Sequence, residues 1–81
     1  MKEKVYHHND EYYYNIIRNN IKKIRTSKNL TQQDLADMTD ISRQYICDVE
    51  NEYRYKHITI AYLSRIADAL ETDITDFFRK E

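Results

Sequence analysis

Not one of the 81 residues is glycine or proline. Without glycine there are no glycine-rich phosphate loops and no dinucleotide-binding turns, both of which need backbone that a Cβ obstructs. Without proline there is no rigid Pro-rich spacer, and the lack of both leaves no long flexible linker. A chain of this length supports one small core, since two would each be marginal. It divides into an N-terminal arm over 1–11, ragged in composition and open to being unstructured, and a single domain over 12–81.

The apolar spacing is helical throughout, and no stretch alternates long enough to predict a strand. In YYYNIIRNNIKKIRTSKN, Ile17, Ile21 and Ile24 fall on one face, extended by Tyr13 and Tyr14, with Asn9 or Asp10 as the cap. Thr31 with Asp34 three residues on reads as a box-like start to a second helix, with Leu35, Ala36 and Met38 inward. Thr39-Asp40-Ile41 fits only a tight connection. Ser42 then caps a third helix that turns Tyr45, Ile46 and Val49 inward. Asn51 to His57 is polar and reads as a loop. A fourth helix from about Thr59 places Ile60, Leu63, Ile66, Ala67 and Leu70 on its apolar face, and Thr72-Asp73 can cap a short last helix presenting Ile74, Phe77 and Phe78. The expected fold class is all-α.

A single cysteine, Cys47, excludes an internal disulfide and suits a reducing compartment. With no signal-peptide pattern and no membrane-length apolar run, a cytoplasmic location is expected. Net charge is −1, yet its distribution is uneven. Residues 1–30 carry +4, residues 31–52 carry −5, and 53–81 balance. A basic footprint would therefore have to come from Lys22, Lys23, Arg25, Lys28, Arg54 and Lys56.

In order and chemistry these elements resemble the Cro/phage-repressor type, or XRE-like, helix-turn-helix transcriptional regulators. The resemblance covers roughly residues 15–78 and rests on Gln32, Ala36, Asp40, Ile46 and Val49 at the first, fifth, ninth, fifteenth and eighteenth motif positions. Glu50-Asn51 and the later Leu63, Ile66, Ala67, Ala69 and Leu70 extend it. It implies a compact five-helix, lambda-repressor-like DNA-binding domain with its helix-turn-helix at about 31–50. It further implies a sequence-specific regulator, repressor or controller, reading a two-fold operator in double-stranded DNA. Two departures stand out: Asp40 occupies a turn position that is usually glycine, and the loop after the third helix has neither the usual glycine nor the usual proline.

Carried over by position, Ser42, Arg43 and Gln44 would meet base edges, Arg43 suiting guanine and Gln44 adenine. Asp48 would either accept from a cytosine N4 or face solvent. Thr31, Gln32, Asn51, Arg54 and Lys56 would contact phosphates, Gln32 helped by the amides of its helix N-terminus. Glu50 matches a position expected to make an intramolecular contact, for instance to Arg25. The net −4 over residues 31–50 leaves a weak electrostatic grip, which favours a homodimer; Tyr62, Ile74, Phe77 and Phe78 either supply apolar surface for it or close the core. The rival function is an antitoxin or protein-interaction module that turns its acidic face to a toxin or co-regulator. Catalysis is not expected, because no nucleophile–base–acid set appears. No cofactor is expected, and His7-His8 is at most half a metal site. Tyr12, Tyr13 and Tyr14 suggest either base stacking or core packing.

Overall fold

A computed structural model describes residues 9–54 and 57–80. Four α-helices follow in order: α1 (Asp10–Ser27), α2 (Gln32–Thr39), α3 (Arg43–Glu50) and α4 (Ile60–Ala69). The segment Ile74–Phe78, expected as a fifth helix, is a single 3-10 turn. Five residues closed by Asp73 and Asp76 at one end are too few to propagate an α-helix. Among the described residues there is no strand, and no helix is long and apolar enough to cross a membrane.

Each start has a local cause. The Asn9 side chain accepts from the Tyr12 amide, so α1 takes in Asp10 and Glu11, which the sequence pattern assigned to the arm. The remainder of that arm, residues 1–8, lies outside the described residues, His7 and His8 with it. Thr59 caps α4 by accepting from the Tyr62 amide. Flanking that cap, Ile58 and Leu63 both enter the core, at the two positions that staple a helix entry. Ile60, expected inward, is 66% exposed because it precedes the first inward-facing turn of α4.

The core gathers Ile17 and Ile21 of α1, Leu35 and Ala36 of α2, Ile46 and Val49 of α3, Leu63, Ile66 and Ala67 of α4, and then Leu70 and Phe77. Met38 was expected among them, but it is half exposed and Thr39 is buried instead. Residues 35, 36 and 39 share one face. The Thr39 hydroxyl donates to the Leu35 carbonyl at 2.7 Å, which removes the cost of burying it. Arg65 of α4 donates to the Thr39 carbonyl and lies over the Tyr62 ring.

Phe77 corrects a second expectation. It is fully buried, so it closes the core and is not available to a second subunit. Complete burial of such a side chain stabilises by roughly 1.5–3 kcal/mol. Asn20 of α1 fixes the chain around it, donating to the carbonyls of Phe77 and Arg79, both at 2.8 Å. Phe78 points the other way and is 45% exposed. Of the three tyrosines at the start of α1, Tyr14 stacks on His57, Tyr12 lies under Lys80, and Tyr13 is half exposed.

Candidate nucleic-acid interface

α2 and α3 form a helix-turn-helix whose corner is set by one residue. Asp40 adopts φ 58°, ψ 31°, the left-handed region, and turns the chain between them. Aspartate tolerates that conformation at a cost of about 1 kcal/mol, less than a β-branched residue would suffer. The small Ala36 is buried at 5% exposure where the two helices approach.

At the start of α2 the capping box is complete. The Thr31 hydroxyl accepts from the Asp34 amide at 2.9 Å, and the Asp34 carboxylate accepts from the Thr31 amide at 2.9 Å. Those bonds, the backbone one foremost, hold the Asp34 carboxyl below the usual carboxylate range. Thr31 and Gln32 thus stand at a capped helix N-terminus whose outward amides can meet an anion.

α3 presents a polar face over an apolar anchor. Ile46 and Val49 are buried, fixing the helix against the body, while Ser42, Arg43 and Gln44 are exposed along its first turn. Ser42 Oγ accepts from the Tyr45 amide at 3.1 Å, and its own hydrogen stays available as a donor. The Tyr45 hydroxyl donates to the His57 carbonyl at 3.2 Å, and burial pushes its pKa upward. Its ring packs edge-on against Tyr62, tying the base of α3 to α4.

Gln44 and Asp48 are not independent. Gln44 Nε2 donates to Asp48 Oδ1 at 2.9 Å, and Arg54 Nη1 approaches the same oxygen at 3.3 Å. The base-edge candidates Gln44 and Asp48 and the phosphate candidate Arg54 therefore form one cluster beside α3. Asn51 organises the loop that delivers Arg54: its side-chain oxygen accepts from the Tyr53 amide at 2.8 Å and its carbonyl from the Arg54 amide at 3.1 Å. Lys56 lies outside the described residues.

Behind α3 a buried ion pair joins three elements. Arg25 Nε and Nη2 donate to the two Glu50 oxygens at 2.7 and 2.8 Å, and Arg25 Nη1 donates to the Leu30 carbonyl at 2.6 Å. Gln32 Nε2 donates to Glu50 Oε1 at 3.1 Å, so this pair also positions the first side chain of α2. The Arg25–Glu50 pair is the contact that the resemblance implied, and it takes Arg25 out of the expected basic footprint. Arg25 is 7% exposed and neutralised by Glu50, whereas Lys22, Lys23 and Lys28 of the same footprint are exposed.

A groove of about 370 Å³ runs beside the unit, lined by Lys22, Gln32, Cys47, Asn51 and Tyr53 among others. Tyr53 is 89% exposed at its rim, a residue that the sequence pattern did not single out. The only available signal was an aromatic within the polar run NEYRYKH.

The acids of residues 31–50 are now sorted. Asp34 caps α2, Asp37 accepts from Gln33 on the outer face of α2 at 2.8 Å, Asp40 makes the turn, and Glu50 is buried with Arg25. Within α3, Asp48 lies on the same side as Gln44, while Asp37 and Asp40 line a hollow with Ser42 and Arg43.

Comparison with known proteins agrees with this geometry. The helix-turn-helix family model HTH_3 matches residues 21–77. The control protein C.SmaI of Serratia marcescens is 30% identical over 66 residues, which cover 82% of this chain and 76% of that protein. The crystal structure of an HTH_3 family transcriptional regulator from Vibrio cholerae superposes with a TM-score of 0.79 at 30% identity, over 86% of this chain. This chain spans only 38% of that larger Vibrio protein. The restriction-modification controller protein C.AhdI from Aeromonas hydrophila shares the fold, with a TM-score of 0.74 at 23% identity over 80% of this chain and 96% of its own.

Proposed function

The chain belongs to the HTH_3 helix-turn-helix family, and we propose that it is a DNA-binding transcriptional regulator of the restriction–modification controller kind. One observation carries the reading: the exposed first turn of α3 presents Ser42, Arg43 and Gln44, while Ile46 and Val49 anchor the helix in the core. A helix held from behind and polar in front is what major-groove insertion requires. Arg43 suits the O6 and N7 acceptors of guanine, and Gln44 suits adenine, each worth about 1–3 kcal/mol of discrimination.

The positioning contacts follow from the same frame. Thr31 and Gln32 present the N-terminus of α2 to one phosphate, and Asn51 and Arg54 hold the loop side. These few contacts give a weak grip per subunit, so the protein acts as a two-fold homodimer on two half-sites about 34 Å apart. The buried Arg25–Glu50 pair removes two charges from the DNA side without leaving either unpaired.

Selection of bound fragments from random DNA, repeated with Arg43→Ala and Gln44→Ala, tests the proposal. Wild type should enrich one motif with two-fold symmetry, and each substitution should relax a different base position. Failure of wild type to enrich any motif sinks direct readout and transfers support to a protein partner for the acidic face.

A further inference from the structure

Asp48 sits where a carboxylate is disfavoured twice. It lies in the last turn of α3, at the negative end of the helix dipole, where no basic residue of the helix itself offsets it. It also lies one turn on from Gln44, on the side proposed to approach polyanionic DNA. Yet its Oδ1 is the shared acceptor for Gln44 Nε2 at 2.9 Å and Arg54 Nη1 at 3.3 Å. Its side chain is 17% accessible, against 63% for Arg54, so the acid is sheltered and the base is presented.

Resting on the DNA-binding reading, we infer that Asp48 is a specificity-determining positioning residue that acts through Gln44 and Arg54. Its first effect is orientation. An ionised carboxylate only accepts, so the amide nitrogen of Gln44 must face it. The amide is then left with Oε1 and one N–H to present outward. That acceptor–donor pair matches the N6 and N7 edge of adenine. Its second effect is restraint. A phosphate can take Arg54 only in competition with Asp48, so sequence-independent contacts are weakened relative to those made when the whole face is seated.

The test needs no known operator. Binding of a random-sequence 30-base-pair duplex is measured across a salt series for wild type, Asp48→Asn, Arg54→Gln and the double variant. Asparagine keeps the shape and an acceptor but removes the charge. Asp48→Asn is expected to tighten binding to random DNA on the order of three- to tenfold and to steepen the salt slope by about one phosphate. In the Arg54→Gln background the steeper slope should vanish, leaving only a smaller gain from removing a negative charge beside DNA. An equal gain in that background shows only the loss of a repulsive charge and overturns the coupling, as does no gain in either. If wild type and all variants leave the duplex unbound even at low salt, the DNA-binding reading itself has failed and this inference falls with it.

Discussion

Asn29, Asp40 and Glu71 carry φ of 60°, 58° and 54°, and each stands just past a helix. A chain without glycine must make such left-handed corners with a Cβ present. Asparagine and aspartate accept the conformation because a short polar side chain can bond locally; glutamate has no such compensation. Around Glu71 the backbone closes fully, with the Glu71 amide on the Asp68 carbonyl at 3.1 Å and the Thr72 amide on Ala67 at 3.0 Å. The geometry suits glycine and the side chain does not. Glu71→Gly should therefore raise stability by roughly 0.5–1 kcal/mol, the relieved strain being partly offset by a freer unfolded chain. For a domain of this size that is a rise of a few degrees in Tm, read from thermal melting. An unchanged or lower Tm would mean that the Glu71 side chain supplies contacts outweighing its backbone cost.

At the scale of elements, the junction of α1, α2 and α3 depends on one ion pair. Arg25 and Glu50 are both over nine-tenths buried, and their hydrogen bonds extend to Leu30 and Gln32. Glu50→Ala would strand a buried guanidinium, at a cost of about 3–5 kcal/mol. That is a large part of the 5–15 kcal/mol typical of a folded domain. Urea unfolding should show the midpoint falling accordingly, and a loss below about 1 kcal/mol would show that water reaches Arg25 and satisfies it. A paired replacement, Arg25→Met with Glu50→Leu, should recover most of the loss, because no charge then remains to be solvated. The elements also show which rules are local. The Thr31–Asp34 box and the Ser42 cap were legible as sequence, since each is settled within four residues, and the resemblance placed Asp40 at the turn. Met38 and Ile60 were misassigned because helical periodicity gives the width of an apolar face, while packing partners decide where it is centred. For α2 that decision lets Thr39 in, by satisfying its hydroxyl, and leaves Met38 out.

For the whole molecule, the proposed two-fold assembly needs an apolar surface that the core has not consumed. Of the four residues expected to supply it, Phe77 is spent in the core, Tyr62 and Ile74 are half-buried against it, and Phe78 stays exposed. Phe78→Glu should then convert a dimer to a monomer in sedimentation at micromolar concentration, with the helical content unchanged. A wild type that sediments as a monomer while occupying a two-fold operator site would remove the dimer, though not the DNA reading.

Sequence by itself determined the helical class, because periodicity and caps are local signals. The resemblance carried by Gln32, Ala36, Asp40, Ile46 and Val49 implied the helix-turn-helix at about 31–50, with Ser42, Arg43 and Gln44 heading α3. Tertiary structure alone decided that Phe77 fills the core, and it realised the Arg25–Glu50 contact that the family resemblance implied. It also decided that Arg54 joins Gln44 on one oxygen of Asp48. These are contacts across the fold, and a charge or an aromatic ring has the same letter in a sequence whether it meets water, a neighbour or DNA.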